Sequence, residues 1–199
     1  MIEFDNLNPT KPYNIFLKYY KAAIENNQKD IQAVSISSFN KNLNEVDSRF
    51  VNLKYIINNE WIFFSNYNSP KAKSFISHDQ ISAVFYWSSI NTQIRIKAIV
   101  KKTTDSFSDN YFRNRDDRKN ALAISSDQSQ IIGSYDEVLE NYERIFDDKK
   151  NLKRRPVFWG GYSFTPYYFE FWKGHNSRLN KREAFNLDNN KWASSLIQP

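Results

Sequence analysis

Alternating apolar and polar residues are the clearest pattern in this chain, and they predict a protein built mainly from β-strands. The segment 93–101 places every second residue from Ile94 to Val100 on one apolar side, as expected for a half-buried antiparallel strand. The run 49–56 is also strand-like, and Asn58-Asn59 after it is a turn signal, because asparagine tolerates positive φ at hairpin tips. Similar apolar or aromatic runs predict further strands at 33–37, 61–64, 81–87, 162–172, 184–187 and 192–197.

Helical spacing is found in the gaps between these strands. An apolar stripe runs through the segment 9–27 and predicts a first helix. Ser69 and Pro70 fit the N-cap and the first position of a second helix that ends near residue 77. The segment 120–132 has a polar centre and stays ambiguous between helix and loop. Other helices are expected at 106–115 and, after a capping-box pattern at 134–137, up to residue 146.

Six or seven strands of mostly antiparallel type, with helices between them, favour an α+β fold with a small closed or split β-barrel. With 199 residues, the chain is long enough for one substantial domain with its own core. The sequence contains no internal repeat, no low-complexity tract and no composition shift that marks a boundary. We therefore expect a single domain that spans residues 1–199.

The composition excludes several kinds of functional site. The chain has no cysteine, so disulfides, thiolate metal sites and a cysteine nucleophile are excluded. His78 and His175 are its only histidines, which excludes a multi-histidine metal site, and its four glycines form no dinucleotide-binding or Walker-type loop. No apolar run is long enough to cross a bilayer, and residues 1–8 lack a signal-peptide core. We therefore expect a cytoplasmic protein with no membrane partner.

Positive charge is concentrated in the last third of the chain. The net charge is +6, and residues 150–182 contain eight Lys or Arg residues and a single acid, Glu170. Such a segment attracts phosphate, either in a small ligand or in nucleic acid, or it is an ordinary solvated surface. Trp159 and Trp172 could stack on bases there, although such residues are more often core or interface aromatics. The helix start at Pro70 is a second candidate anion site, because free N–H groups and lysines meet there.

Several short motifs together resemble the pyridoxamine 5′-phosphate oxidase family, flavoproteins with the FMN-binding split-barrel fold. The resemblance extends from about Pro12 to Pro199, and the order and spacing of the motifs make it specific. Even the last four residues are similar to the usual ending of the family. The motifs are RFVNLK at 49–54, FFSNYNSPKA at 63–72, the strand of Gln93, Gln128-Ser129, FWGGY at 158–162 and EFWKGHNSRLNKR at 170–182.

The resemblance implies a homodimer that binds two FMN molecules at the subunit interface. Arg49 and Lys71 would hold the FMN phosphate, and the backbone of residues 51–54 would lie along the isoalloxazine ring. Gln128 and Ser129 would come from the partner subunit. Arginine forks and a lysine charge suit a phosphate dianion, and apolar walls with a few polar contacts suit a flavin. The implied cofactor-binding residues are Arg49, Val51, Leu53, Lys54, Phe64, Ser65, Lys71, Gln93, Gln128, Ser129, Trp172 and Arg182.

The same resemblance implies dioxygen and a phosphorylated B6 vitamer, pyridoxamine or pyridoxine 5′-phosphate, as substrates. The implied reaction moves a hydride from the C4′ carbon to flavin N5, and dioxygen then reoxidises the flavin to give hydrogen peroxide. Arg178 would be the catalytic residue, over the reacting side of the pyridine ring. The implied substrate-binding residues are Lys54, Tyr111, Arg115, Lys119, Arg178 and Asn180.

Several positions depart from the usual pattern of the family. Pro70 stands where an arginine usually lies beside the FMN phosphate, and Lys119 stands where a serine usually helps to bind the substrate phosphate. Asn180 replaces the histidine of the usual R-L-H motif, and residues 114–118 differ from the usual R-P pattern. Residues 1–9 contain no Lys or Arg, whereas relatives often carry a basic arm there. The departures concentrate on the substrate side, so they bear on the substrate more than on the flavin.

Three functions stay open from the sequence. The first is a pyridoxamine 5′-phosphate oxidase, which the presence of Lys54, Tyr111 and Arg115 favours. The second is a related split-barrel flavin oxidase of the phenazine-biosynthesis type, although such proteins usually lack the lysine that corresponds to Lys54. The third is a non-catalytic binder of FMN, pyridoxal phosphate or nucleic acid. We rank them in this order and do not expect a nucleic acid partner, although each residue taken alone also fits an ordinary surface or core position.

Overall fold

A computed structural model describes residues 1–149 and 151–199, and these residues form a ten-stranded, mostly antiparallel sheet with five α-helices. The α+β fold class expected from the sequence is therefore confirmed. None of the helices in the described residues is both long and apolar enough to cross a membrane. The helices are α1 (Lys11–Glu25), α2 (Pro70–Ser77), α3 (Asp105–Asn114), α4 (Asp117–Ser125) and α5 (Tyr135–Asp147), with a short 3-10 helix at Ser88–Ile90. The strands are β1 (Glu3–Asp5), β2 (Ala33–Asn40), β3 (Glu45–Asn52), β4 (Tyr55–Ile57), β5 (Glu60–Asn66), β6 (Gln80–Trp87), β7 (Thr92–Lys102), β8 (Trp159–Lys173), β9 (Lys181–Asp188) and β10 (Lys191–Ile197).

Strand β8 organises the sheet, because it pairs with three other strands. Strand β7 runs antiparallel along most of one edge of β8, while β5 pairs with residues 159–164 and β9 with residues 168–173 on the other edge. The strand order is β1-β4-β5-β8-β7-β6-β2-β3, and β9 and β10 branch from β8. Strands β5 and β9 therefore share one edge of β8 and divide the sheet into two arms. One arm continues from β5 to β4 and β1, and the other continues from β9 to β10.

The start of β8 depends on two glycines, Gly160 and Gly161. A Cβ atom at Gly160 would overlap the hydroxyl of Tyr67, and one at Gly161 would lie 2.5 Å from Thr103 Oγ1. Only glycine allows this close approach of neighbouring groups to the strand backbone. The sequence predicts that the strand begins at residue 162, whereas it begins at Trp159, because here the glycine pair serves packing and does not form a turn.

The core is aromatic and lies between helix α1 and the sheet. Phe16 of α1 is fully buried, as the apolar stripe predicts. Its ring centroid lies 4.4 Å from that of Trp61 and 5.5 Å from those of Phe85 and Trp87, at tilted or edge-to-face angles. Each such aromatic pair contributes ~0.5–1.5 kcal/mol beyond its buried area. These contacts fix α1 against the inner face of the sheet.

The strand expected at 49–56 is interrupted, and the interruption shapes the site described next. Strand β3 ends at Asn52, and β4 begins at Tyr55. The N–H of Leu53 donates to the carbonyl of Gln32 at 2.9 Å, whereas the N–H of Lys54 donates to the carbonyl of Ile62 at 2.8 Å. The chain thus changes its hydrogen-bonding partner within two residues, which ends one ladder and starts another.

Candidate functional site

A cavity of about 690 Å³ opens between strands β3 to β5 and helices α3 and α4. Its walls combine strand residues with side chains from both helices and from the turn that follows α4. The volume lies within the range of roughly 300–1,000 Å³ typical of small-molecule sites. The cavity brings together nine of the residues predicted from the sequence: Val51, Lys54, Phe64, Ser65, Lys71, Tyr111, Arg115, Lys119 and Gln128.

Three cationic side chains, Lys54, Arg115 and Lys119, line one part of this cavity. Burial lowers the pKa of Lys54, and the positive charges of Lys119 and Arg115 lower it further. The guanidinium of Arg115 lies 4.9 Å from the ring centroid of Trp159, and its Nη1 donates to the carbonyl of Lys119 at 2.8 Å. An anion placed among these groups would relieve the repulsion between them, so this part of the cavity suits a phosphate.

A wall of stacked aromatic rings holds Tyr111 in the cavity. The rings of Phe64 and Tyr111 are nearly parallel, with centroids 3.6 Å apart, and the ring of Trp159 lies 5.3 Å from Phe64. Trp159 is 6% exposed, so the wall is anchored at the buried start of β8. The motif FWGGY marked this region in the sequence, although Trp159 itself was not expected to line the site.

A second cationic group lies where α2 begins. Lys71 is only 8% exposed, and its Nζ donates to Ser69 Oγ at 3.1 Å. Burial lowers the pKa of Lys71 to about 8, and the neighbouring charge of Arg49 contributes to the shift. Arg49 does not line the cavity, because its guanidinium is bound to Asp47 at 2.5 Å and to Ser38 Oγ at 2.7 Å. Pro70 occupies the first turn of α2, as expected, but the Ser69 hydroxyl donates to the Asn66 carbonyl and does not cap the helix.

Three of the remaining predicted residues, Gln93, Trp172 and Arg182, form a separate cluster on strands β7, β8 and β9. Gln93 lies opposite Trp172 in the β7–β8 register, and Trp172 lies opposite Arg182 in the β8–β9 register. None of the three lines the cavity. Between Trp159 in the cavity and Trp172 in this cluster, strand β8 advances ~40 Å at ~3.3 Å per residue. The structure therefore divides the predicted site between two distant parts of one chain.

Glu170 holds the arginine of this second cluster in place. Its carboxylate is 2% exposed and binds Arg182 at 2.8 Å and Arg95 at 2.8 Å, and it also accepts from the hydroxyl of Tyr168 at 2.9 Å. A buried carboxylate between two guanidinium groups has its charge and its lone pairs satisfied. The sequence contained a signal for this role, because Glu170 is the single acid in a strongly basic segment.

The loop before β9 carries Arg178 and Asn180, and it is closed by its own hydrogen bonds. Arg178 has φ 60°, an uncommon left-handed conformation for a residue other than glycine, and its N–H donates to the His175 carbonyl at 2.9 Å. Asn180 Oδ1 accepts from the N–H of His175 at 3.0 Å. Neither residue lines the cavity of its own chain, and the Asn180 side chain holds the loop that presents Arg178.

Three other predicted cofactor residues lie in different surroundings within this chain. Gln128 already lies in the cavity of its own chain, where Ser65 Oγ donates to its Oε1 at 3.4 Å. Gln128 reaches this wall because α4 ends at Ser125 and the following turn folds back towards β5. Its supply to the cofactor site of a partner subunit stays a prediction. Ser129 is exposed, with φ 70°, and lies outside the lining. The side chain of Leu53 is fully buried in the core, so only its backbone can contact a ligand.

Comparison with known proteins identifies the family. Residues 159–199, which include β8 to β10, match the family model described as the pyridoxine 5′-phosphate oxidase C-terminal dimerisation region. A pyridoxine/pyridoxamine 5′-phosphate oxidase of Leptospira biflexa is 31% identical over 189 residues, which cover 94% of this chain and 89% of that protein. This chain belongs to the pyridoxine/pyridoxamine 5′-phosphate oxidase family. Its membership confirms the resemblance seen in the motifs and makes it one of a family of oxidase-type enzymes.

Solved structures confirm the split-barrel fold of this oxidase family member. PhzG from Burkholderia lata 383, solved in complex with tetrahydrophenazine-1-carboxylic acid, has a TM-score of 0.90 at 21% identity, covering 96% of this chain and 94% of PhzG. A pyridoxamine 5′-phosphate oxidase-related, FMN binding protein from Nostoc punctiforme has a TM-score of 0.75 at 12% identity, covering 96% of this chain and 99% of that chain. At these identities the likeness concerns the fold alone.

Proposed function

We propose that this protein is an FMN-dependent oxidase that converts pyridoxamine or pyridoxine 5′-phosphate to pyridoxal 5′-phosphate, with dioxygen as the electron acceptor. The observation that carries the proposal is the presence of two separate cationic groups in one cavity. Lys71 lies at one of them, and Lys54 with Arg115 lies at the other. A cavity with two anion sites fits a reaction in which both the cofactor and the substrate carry a phosphate.

The residues around Lys71 fit the phosphate end of FMN. Its ammonium group is buried, and within the described residues no carboxylate lies at ion-pair distance from it. A phosphate there would supply the missing negative charge and would meet the N-terminus of α2. The backbone of residues 51–54 and the side chains of Ser65 and Gln128 would hold the ring system. FMN supplies the hydride-accepting and oxygen-reactive chemistry when it is bound.

The other cationic group would hold the substrate by its phosphate. Lys54 and Lys119 supply point charges, and Arg115 supplies a planar fork whose orientation is fixed over Trp159. Tyr111 is fixed by stacking on Phe64 and adds a hydroxyl. Fixing the phosphate in this way orients the carbon to be oxidised, and such positioning contributes much of an enzyme's rate enhancement. An alcohol substrate would give up two electrons and two protons and become the aldehyde, and dioxygen would receive them and become hydrogen peroxide. An amine substrate would in addition take up water and release ammonia.

A second copy of the chain would complete the site. The cluster of Gln93, Trp172 and Arg182 lies too far along β8 to reach the cavity of its own chain, so it would serve the cavity of a partner. Residues 159–199 match a region described as a dimerisation region, and Leu196 in this region is 75% exposed. Phe50 at the edge of the cavity is also 75% exposed. A homodimer would cover these apolar side chains and bring Arg178 to the substrate.

The deciding experiment is anaerobic mixing of the FMN-reconstituted protein with pyridoxamine 5′-phosphate. We expect the visible flavin absorbance to bleach and then to recover when air is admitted, with formation of pyridoxal 5′-phosphate and hydrogen peroxide. A yellow protein that stays oxidised with both B6 phosphates would refute the proposed substrate and retain the cofactor. Failure to bind FMN would refute the oxidase function altogether.

A further inference from the structure

Residues 152–155 contact helix α3, helix α4 and the junction between them. We call this segment the 152–155 clamp. Of the residues that we assign to the substrate phosphate, Tyr111 lies on α3, Lys119 lies on α4, and Arg115 lies between the two helices. The sequence of this segment, a basic run directly before Pro156, is typical of a charged linker. In the structure, two of its side chains and one of its carbonyl groups bind the helices directly. It therefore has contacts that a simple connection between elements does not need.

Arg155 makes the most extensive contacts in the clamp, and its side chain is only 7% exposed. Its Nε donates to Asp109 Oδ1 at 2.5 Å, and its Nη2 donates to Asp105 Oδ1 at 2.8 Å. Both aspartates belong to α3, one turn apart. Its Nη1 donates to the carbonyl of Trp159 at 2.7 Å, at the first residue of β8. One guanidinium thus joins two turns of α3 to the strand whose tryptophan stacks on the Arg115 side chain.

The rest of the clamp holds the junction between α3 and α4. Lys153 Nζ donates to the carbonyl of Arg115 at 2.9 Å and lies 2.6 Å from Asp117 Oδ1. Leu152 is 2% exposed, and its carbonyl accepts from Asn120 Nδ2 at 2.9 Å. Arg115 is therefore held at two points: Lys153 binds its backbone carbonyl, and the ring of Trp159 packs against its guanidinium.

We propose that Arg155 is a positioning residue that sets the geometry of the phosphate site by fixing α3 against the start of β8. The inference rests on the proposed function of the cavity, because it assumes that Tyr111 and Arg115 hold the substrate phosphate. A ten-residue helix has little stability by itself, so its orientation depends on tertiary contacts of this kind. Tyr111 lies only two residues after Asp109, so a tilt of α3 moves its hydroxyl and the Arg115 fork together.

The geometry of the guanidinium makes this role specific to arginine. The planar fork presents Nε, Nη1 and Nη2 in fixed directions, and each of these atoms has its own acceptor here. The three acceptors are the carboxylates of Asp105 and Asp109 and the carbonyl of Trp159. A lysine at residue 155 has a single nitrogen and could bind only some of them. Displacement of a positioned group by ~1 Å can cost up to ~100-fold in function, so a small tilt of α3 is enough to be measured.

The test is calorimetric titration of the FMN-loaded protein under anaerobic conditions with three ligands: pyridoxine 5′-phosphate, pyridoxine and inorganic phosphate. For Arg155→Gln we expect the affinity for the two phosphate-bearing ligands to fall about tenfold or more, with FMN content unchanged and pyridoxine affinity within about twofold. Arg155→Lys should lose less affinity than Arg155→Gln. Arg154→Gln is the matched control, since Arg154 is an exposed arginine in the same clamp, and it should bind all three ligands like the wild type.

Two results for Arg155→Gln would overturn the proposal. One is an equal loss of affinity for pyridoxine and for pyridoxine 5′-phosphate, and the other is wild-type affinity for the phosphate ligands. If Arg155→Gln does not fold, Asp109→Ala removes one acceptor of the fork and should weaken phosphate binding in the same direction. A folded Asp109→Ala protein with wild-type phosphate affinity would equally refute the positioning role. If the wild type binds inorganic phosphate but not pyridoxine 5′-phosphate, the proposed function fails, and the phosphate titration still decides the role of Arg155.

Discussion

Lys71 provides a quantitative prediction about pH. Burial lowers its pKa to about 8, whereas a bound phosphate dianion would favour its charged form. If the FMN phosphate binds at Lys71 as proposed, the ligand-free protein must take up a proton at high pH before it can bind FMN well. The protonated fraction of a group with this pKa falls from ~0.9 at pH 7 to ~0.1 at pH 9. We expect the dissociation constant for FMN to rise about tenfold over this interval.

The assay is fluorescence or calorimetric titration of the FMN-free protein at several pH values. Calorimetry in buffers of different ionisation enthalpy should also detect uptake of ~0.9 proton per FMN at pH 9 and ~0.1 at pH 7. Lys71→Arg is the first control, because its guanidinium stays charged throughout and should remove the pH dependence. Lys73→Met, which removes an exposed lysine of the same helix, should keep the pH dependence of the wild type. A flat profile in the wild type, or an unchanged slope in Lys71→Arg, would refute the reasoning.

The same lowered pKa affects the stability of the ligand-free protein. An unfolded chain keeps Lys71 protonated up to its ordinary pKa of 10.5, whereas the folded protein releases this proton near pH 8. Between these values the unfolded state binds more protons, so the contribution of Lys71 to folding stability rises with pH across this window. Saturation with FMN should remove this contribution, because the phosphate keeps Lys71 charged.

Four further substitutions test other parts of the structure. Arg178→Ala should leave FMN content intact and strongly depress turnover with pyridoxamine 5′-phosphate; loss of flavin in this variant would contradict its assigned role. Asn180→Ala removes the acceptor for the N–H of His175 at 3.0 Å, so we expect lower turnover and faster proteolytic cleavage of the loop, with an unchanged KM for the phosphate. Lys119→Ser should raise the KM for pyridoxamine 5′-phosphate by about three- to tenfold at low ionic strength and by less at high salt, and a salt-independent effect would argue against a charge contribution. Phe16→Ala, at a fully buried core position, should lower the free energy of unfolding by ~3–5 kcal/mol in urea denaturation, and a loss below ~1 kcal/mol would show that the core can collapse around the change.

Regular periodicity allowed much of the fold to be predicted from the sequence. The alternating segment 93–101 corresponds to β7, and the apolar stripe in 9–27 corresponds to α1. Strand β1 was missed, because three residues carry no measurable period, and it forms only through parallel pairing with β4. The ambiguous segment 120–132 is helical up to Ser125, the last residue of α4. This helix begins at Asp117, and the side chain of Asp116 caps its N-terminus.

The site was predictable only in part, for a different reason. Motif resemblance identified nine residues that do line the cavity, but it could not show that Gln128 reaches the cavity of its own chain. That outcome depends on where α4 ends and how the next turn folds back, which is a tertiary effect. Arg155 was missed because a basic run before a proline is typical of a solvated linker. Its two aspartate partners lie 46 and 50 residues earlier in the chain, so no local pattern indicates them.

The length of β8 has a consequence for genetics. In the proposed homodimer, the cavity of one subunit and the Trp172–Arg182 cluster of the other form one site, so a substitution would disable one half of the site and leave the other half intact. Two inactive alleles, one altered at Lys71 and one at Arg182, would then encode subunits with complementary defects. In a cell that makes both, mixed dimers would contain one site built from two unaltered halves. Such a pair of alleles should restore growth in a strain that depends on this activity, whereas two alleles altered in the same half should not.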